Sequence, residues 1–385
     1  MIDRDIFEDL FVLEMANNHW GSVDRGLRII SAYSQVVRFN NVRAAIKLQF
    51  RDIDTFIHKD FRHRRDIRYV AKTLDTRLNA ECFATLVKAI RQASCIPMAT
   101  PFDEASVDLC CELGIPIIKL ASSDLNDWVL IEKIAATKKP VIVSTGGSSL
   151  KDIDDLVMFF QNRHIPLAIN HCVSIYPAED SELELNQIDF LRNRYPSNTI
   201  GFSTHEYHDW TASMLIAYAK GARTFERHID IEGDGRAVSP YCSRPEQVDT
   251  WFKSYQKARE LCGAAGNQKR LPPPKEIAYL DSLVRGVYAK RDLPEGHILT
   301  DDDVYLAIPL QKGQISCREL MRGEVLMAPI QKDAPVMIDA IDTPYANIPS
   351  LREALYSRGL EGLANAVGKP APPRAAGEPL ARAVN

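Results

Sequence analysis

Short apolar runs alternate with longer amphipathic stretches along this chain. The runs are FVLEMAN (11–17), AAIKLQF (44–50), IPMATPF (96–102), IPIIKLAS (115–122), PVIVSTG (140–146), LAINHCV (167–173), TIGFSTH (199–205) and TFERHI (224–229). Their length and β-branched content predict buried strands, and most of the intervening stretches are long enough for a helix. Eight βα units in this order predict a closed parallel (β/α)8 TIM barrel, whose active site forms at the C-terminal strand ends. Each run closes in polar or ionisable residues. Glu14, Lys47, Gln49, Lys119, Ser122, Ser144, His171, Ser203, His205, Glu226 and His228 are therefore expected around one mouth.

The barrel pattern ends after PEQVDTWFKSYQKARELCG (245–263), giving a barrel domain over 1–266. Residues 267–281 hold three consecutive prolines and are expected to form a stiff, extended linker. A β-rich module follows over 282–342, with a turn at PEG (294–296) and a helix start at DDD (301–303). A core of about sixty residues is marginal, so this module is expected to dock on something. The tail, 343–385, is expected to form one amphipathic helix over 346–366 and then to be disordered where Ala, Pro and Gly dominate.

A formal net charge of −4 argues against a general nucleic-acid binder. The one basic run, RHRRDIR (62–68), reads as a solvated helix face. No apolar run approaches the roughly 20 residues that span a bilayer. The N-terminus, MIDRDIFEDL, lacks a signal-peptide core, so a cytoplasmic protein without membrane partners is expected. The eight cysteines form no CxxC pair and read as reduced thiols, Cys172 among them as a small buried apolar residue.

His205 and His228 end adjacent strands, close enough to share a cation that keeps open positions for water and substrate. His208 lies beyond its strand and reads as a loop residue. Lys47 and Lys119 sit inside apolar runs, where an unpaired ammonium is costly. They fit an anionic ligand, a structural ion pair with Glu14 or Glu226, or a Schiff-base lysine. The VSTGGSS segment (143–149) offers Ser144 and backbone N–H groups ahead of a helix, a placement suited to phosphate, and Ser122 and Ser203 add donors. Glu14 could bind sugar hydroxyls, act as a base, or balance a lysine.

Taken in order, these strand ends resemble the sialic acid synthase family, which condenses phosphoenolpyruvate with an N-acylated mannosamine-type aldose. The matching segments are LEMANNHWGS (13–22), IKLQF (46–50), TPFDEAS (100–106), KLASSDLND (119–127), VSTGGS (143–148), INHCVSIYP (169–177), IGFSTH (200–205) and ERH (226–228). Residues 282–342 resemble the antifreeze-like (SAF) domain, a small β-clip that follows the barrel in that family. The resemblance implies that Lys47, Thr100, Lys119, Ser122, Ser144, Ser174 and Ser203 bind phosphoenolpyruvate. It implies that His205 and His228 hold a divalent ion, Mn2+ with Mg2+ or Co2+ as alternatives. Glu14, Gln49, Asp124 and Tyr176 would line the sugar pocket, and Glu14, Lys119, His205 and His228 would carry catalysis. The implied partner is a second copy of the chain in a domain-swapped homodimer.

Several positions depart from the family pattern. Ser174 replaces an asparagine, Asp124 a glutamate and Thr204 an aspartate. Ser239 falls where an aspartate touches the amino sugar, and Ile308 where an arginine precedes proline. The phosphate and metal half is kept while the sugar half is altered, so an aldose other than plain N-acetylmannosamine is expected. Two rival readings are a Schiff-base barrel aldolase using Lys119 and a non-catalytic sugar-binding homologue.

Overall fold

The structure is a computed structural model and describes residues 6–263, 266 and 268–361. The chain divides into two compact units, 1–265 and 266–385.

In the first unit eight strands close a parallel barrel in sequence order. They are β1 (Leu10–Ala16), β2 (Arg43–Phe50), β3 (Ile96–Pro101), β4 (Ile117–Leu120), β5 (Val141–Ser144), β6 (Leu167–Cys172), β7 (Thr199–Thr204) and β8 (Thr224–His228). Side chains alternate across a strand, so each strand has an inner and an outer set. The outer set, including Phe11, Leu13, Ile46, Leu48, Ile118, Val143, Ile169, Phe202 and Phe225, joins the large core beneath the helices. The inner set begins with a small plug of Leu10, Val12, Ala45, Met98, Ile117, Ile142 and Ala168 that fills the barrel's lower end. Two residues further along each strand the inner positions become polar, and the site starts there.

The helices take their ends from local chemistry. Between β1 and β2 lies α1 (Val23–Asn40), with Ser22 accepting from the Arg25 N–H at its start and Asn41 in the left-handed region at its end. The β2–β3 connection carries α2 (Ile53–Phe56), α3 (Arg68–Asp75) and α4 (Ala80–Gln92), the last capped by Asn79. The next connections carry α5 (Glu104–Glu112), capped by Asp103, α6 (Trp128–Ala136) and α7 (Leu150–Gln161), which opens in a Ser149–Asp152 capping box. Last come α8 (Asn186–Arg194), α9 (Ala212–Ala219) and α10 (Pro245–Cys262). Trp251, Phe252 and Tyr255 of α10 meet Phe11 edge-on and bury the seam where β1 joins β8.

The basic run is not a helix face: residues 62–67 form turns, and only Arg68 enters α3. The Arg64 and Arg65 guanidiniums pair with Asp66 and Asp75 instead. Among the described residues no helix is long and apolar enough to cross a membrane.

The second unit opens with α11 (Pro274–Ser282), where an extended linker was expected. Proline's fixed φ suits the first helical position, so Pro274 starts a helix that the Pro run had suggested against. β9 (Gly286–Ala289) pairs antiparallel with β10 (Val304–Ala307), and β11 (Val325–Leu326) with β12 (Ile341–Asp342). Residues 301–303 form a turn rather than a helix start. The Asp303 carboxylate folds back to accept from the Thr300 N–H and hydroxyl, from Arg291 and from His297. The expected 346–366 helix is shorter, α12 (Pro349–Ser357), and Gly359 follows with φ +84°. It is no free tail: Leu355 and Ala346 belong to the unit's core with Val287, Ile315, Leu326 and Val336. The end of that expected helix, 362–366, and the whole disordered stretch expected over 367–385 lie outside the described residues.

Candidate active site

The strand register sets the site. Glu14 pairs laterally with both Lys47 and His228, Ser144 with Asn170, Cys172 with Ser203, and Ser203 with Glu226. The inner positions above the apolar plug therefore form a polar layer of Glu14, Lys47, Thr100, Lys119, Ser144, Ser203 and Glu226, all buried. Its centre is a four-charge cluster. Lys47 contacts Glu14 and lies 3.3 Å from Glu226 Oε1, while Lys119 lies 3.6 Å from Glu226 Oε2. The ion-pair alternative for the lysines is thus realised, and Glu226, expected only as a mouth residue or counter-ion, bridges both.

The two lysines are not equivalent. Burial pulls the Lys47 ammonium down, but Glu14 and Glu226 outweigh it and leave it above its ordinary value. Burial also pulls Lys119 down, and Glu226 does not restore it. Glu14 is pushed up by burial despite Lys47. Glu226, also opposed by burial, is held below its ordinary value by Lys119 and Lys47 together. Lys119 is therefore the cation with the least internal compensation, and an incoming anion would gain most there.

Hydroxyls complete this side. The Lys47 ammonium donates to Thr100 Oγ1 at 3.0 Å, and that of Lys119 to Ser144 Oγ at 2.7 Å. The Gly146 N–H donates to Ser122 Oγ at 3.1 Å. A Cβ on Gly146 would lie 2.1 Å from Ser174 Oγ, so glycine lets Ser122 and Ser174 close around one backbone N–H. Cys172 reaches the same place. Burial raises its thiol while Lys119 and contacts with Ser203 and Ser122 oppose the rise, so it lines the polar pocket rather than an apolar core.

The two histidines sit beside this cluster. Their ring centroids are 5.4 Å apart. His205 Nδ1 lies 2.8 Å from the Val173 carbonyl, which can only accept, so Nδ1 carries the proton and Nε2 keeps its lone pair. His228 Nδ1 is buried with no hydrogen-bond partner among the described residues. Burial lowers His205 to about 4 and His228 well below its ordinary value, so both rings are neutral at physiological pH. Two neutral imidazoles with unused lone pairs fit a divalent ion with open positions, although among the described residues no third His, Cys, Asp or Glu completes a cluster. Tyr176 packs on His205 at 3.9 Å between centroids, and Tyr241 closes on His228 at 5.3 Å.

Contacts behind the strand ends hold this geometry. Arg227 points outward, with Nη1 on Glu206 at 2.8 Å and Nε on Ser243 Oγ at 2.5 Å. Asn18 Nδ2 donates to the Ile229 carbonyl, and Arg25 Nη2 pairs with Asp230 at 2.7 Å. The loop after β8 is thereby tied to the loop after β1.

On the remaining side, Gln49 Nε2 donates to Glu14 Oε1 at 3.0 Å and its Oε1 accepts from Arg51 Nη1 at 3.1 Å. Asp124 sits on the turn after β4, partly buried, its carboxyl raised by burial and Oδ2 without a hydrogen-bond partner among the described residues. His171 is not at the mouth. It occupies an outer position, stacks on Phe202 and bonds the Leu183 carbonyl at 2.7 Å. Thr204 is likewise an outer, buried residue, and His208 is an exposed loop residue bonded to Glu179. Arg51 and Tyr241 escaped the sequence reading, and Cys172, expected as a small buried apolar residue, faces Lys119, Ser203 and Ser122 instead. Arg51 and Cys172 continue the inner alternation 47-49-51 and 168-170-172, whereas Tyr241 lies on an irregular loop without a periodic signal.

The chain as a whole is similar to known proteins. A profile of the NeuB family matches residues 40–267, and one of the SAF domain matches 284–342. A solved Chromobacterium violaceum structure, put forward as spore coat polysaccharide biosynthesis protein E, is 39% identical with TM-score 0.83, covering 87% of this chain and all of that one. Human N-acetylneuraminate-9-phosphate synthase is 22% identical over 88% of this chain and 94% of its own length. The N,N'-diacetyllegionaminic acid synthase of Campylobacter jejuni is 24% identical over 77% of this chain and 89% of its own length. The chain belongs to the NeuB family, the sialic-acid-type transferases that condense phosphoenolpyruvate with an aldose, and carries a SAF domain after its barrel.

Proposed function

We propose that this chain joins C3 of phosphoenolpyruvate to the aldehyde carbon of an aldose other than plain N-acetylmannosamine, releasing phosphate by C–O cleavage. The observation that carries this reading is the buried Lys47–Glu226–Lys119 cluster beside two neutral histidines. Phosphoenolpyruvate presents a phosphate and a carboxylate. Lys47 and Lys119 supply two cations, and Thr100, Ser122, Ser144, Ser174, Ser203 and the Gly146 N–H supply neutral donors. His205 and His228 would hold the divalent ion, which supplies Lewis-acid polarisation of a carbonyl oxygen.

The electron pair of the enol double bond forms the new C–C bond, and the aldehyde oxygen becomes a hydroxyl by taking a proton. Water adds at C2 and gives up a proton. Glu14, buried at the meeting point of the cluster and Gln49, is the base for that proton, and its raised pKa makes it a stronger one. Collapse at C2 expels phosphate with the bridging oxygen and leaves a 3-deoxy-2-keto acid. Lys119 offsets the charge that gathers on the departing phosphate. The test is phosphate release by the purified protein with phosphoenolpyruvate and Mn2+ across a panel of plain, amidated and phosphorylated aldoses, with mass spectrometry of the product. Aldose-dependent release with a product heavier by a pyruvate unit supports the reading. Release independent of aldose, or borohydride trapping of a ketone on Lys119, contradicts it.

A further inference from the structure

The mouth carries two cations that the proposed reaction does not use. Thr73 of α3 and Thr76 at its end line a narrow space with Asn17, Gln49 and Arg51, so this helix lies over the ends of β1 and β2. It also reaches toward β8. The Lys72 charge is felt at His228 and Cys242, and the Arg68 charge at Tyr241. His228 feels Lys47 and Lys119 as well, so the ammonium on the helix and the two on the barrel floor share one basin.

Lys72 and Arg68 stand one helical turn apart on α3, on the same face, and among the described residues neither has an ion-pair partner. The acids of this segment are taken by other cations: Asp54 by Arg77, Asp66 by Arg64 and Asp75 by Arg65. Lys72 is half-buried. Burial pulls its ammonium below the ordinary value, Arg68 and Arg51 push the same way, and the Cys242 thiol opposes them. Arg51 differs, because Asp124, Glu14 and Asp103 support its charge. A half-buried ammonium without a carboxylate is costly, and an anionic ligand would offset that cost.

The charges inside the barrel point to the kind of anion. Lys47 and Lys119 are matched by Glu14 and Glu226, so the four-charge cluster is close to neutral as a whole and projects little field beyond the mouth. The chain carries a formal net charge of −4, which repels anions at a distance. Phosphoenolpyruvate, a phosphate and a carboxylate on three carbons, therefore gains its long-range attraction at the rim, where two cations stand without counter-ions. A neutral sugar hydroxyl gains nothing at that range.

We propose that Lys72 and Arg68 form an outer anion site on α3 that holds a phosphate group in transit, carried by phosphoenolpyruvate on its way to Lys47 and Lys119 or released as inorganic phosphate on its way out. The assignment rests on the proposed condensation for the carrier of that phosphate.

Full-length protein with Mn2+ is assayed with phosphoenolpyruvate and the aldose that gives the fastest phosphate release. Lys72→Gln lowers kcat/KM for phosphoenolpyruvate about three- to tenfold at low salt, and leaves kcat and the aldose KM unchanged. Lys72→Arg restores the rate, and Lys72→Glu lowers it further. At about 1 M salt, where the screening length is about 3 Å, variant and wild type converge. That pattern assigns the site to entering phosphoenolpyruvate. A lower kcat with weaker product inhibition by phosphate, at unchanged kcat/KM, assigns it to departing phosphate. Phosphorus NMR of inorganic phosphate with the full chain, Mg2+ and no aldose reads the site apart from turnover: binding persists in Lys119→Met and is lost when Lys72→Gln is added. Such binding in a protein that releases no phosphate with any aldose would sink the condensation and keep the site. A rise in the aldose KM alone, an effect of Lys72→Gln that salt does not diminish, or unchanged kinetics and phosphate binding when Lys72→Gln and Arg68→Gln are combined would each overturn the assignment.

Discussion

Lys47 and Lys119 should respond in opposite ways to the same substitution. Lys47 contacts Glu14, lies 3.3 Å from Glu226 and donates to Thr100. Lys47→Met leaves two buried carboxylates facing each other with Lys119 as their one remaining cation in the cluster. Breaking a buried ion pair from one side costs about 3–5 kcal/mol. Lys119 has one carboxylate at 3.6 Å, a gross attraction of about 4–5 kcal/mol at an effective dielectric near 20, largely cancelled by desolvation of the ammonium. Its replacement by Met should cost the fold about 1 kcal/mol or less, and Glu14, already raised, can take up a proton to rebalance the site. Binding should show the reverse order. A lost charge-assisted hydrogen bond to ligand is worth about 1.5–3 kcal/mol, so Lys119→Met should weaken phosphoenolpyruvate roughly 10- to 150-fold. Urea unfolding followed by tryptophan fluorescence gives the stability arm and calorimetric titration the binding arm. Equal destabilisation by both variants, with phosphoenolpyruvate affinity intact in Lys119→Met, would refute the division of roles.

Three further outcomes are expected. His228→Ala should fold normally, bind less divalent metal by elemental analysis after gel filtration, and lose nearly all turnover; a wild-type rate would remove the histidine pair from the metal site. His19 is fully buried and its pKa is lowered by burial to about 4, against an ordinary 6.5, so the neutral form is the folded one. Its stabilisation is whole above pH 6.5 and is lost as pH falls toward 4, about 3 kcal/mol in all, and His19→Gln should flatten that part of the stability–pH curve. Leu355→Ala should cost the second unit about 2–5 kcal/mol by urea unfolding, since the side chain is fully buried in its core; a change under 0.5 kcal/mol would return α12 to the status of a tail.

The barrel and the heart of its site were legible because charge inside an apolar strand is anomalous. Lys47, Lys119, Glu226 and His228 stand out against neighbours that a β-strand buries on both faces, and buried charge demands a partner. Parity was the weak point. His171 sits one residue off the inner set, and a one-residue shift turns a side chain from the mouth to the helices. Asn170 and Cys172 take the inner places instead. Local motifs misled where one residue type serves two structures. Prolines suit both an extended linker and a helix start, and Asp303 suits both a helix cap and the turn it closes. The burial of Leu355 could not be read locally, because its partners lie up to seventy residues away across the second unit. Arg51 was missed because it lies just past the end of β2, where the alternation that places it inward has no apolar neighbours to mark it.

The most direct test uses phosphoenolpyruvate labelled with 18O at the bridging oxygen, with the aldose that gives the fastest phosphate release. The account predicts that all of the label leaves in inorganic phosphate and that the new ketone carries oxygen from water. Label retained in the 2-keto acid would mean P–O cleavage and would contradict the proposed chemistry at Lys119 and Glu14.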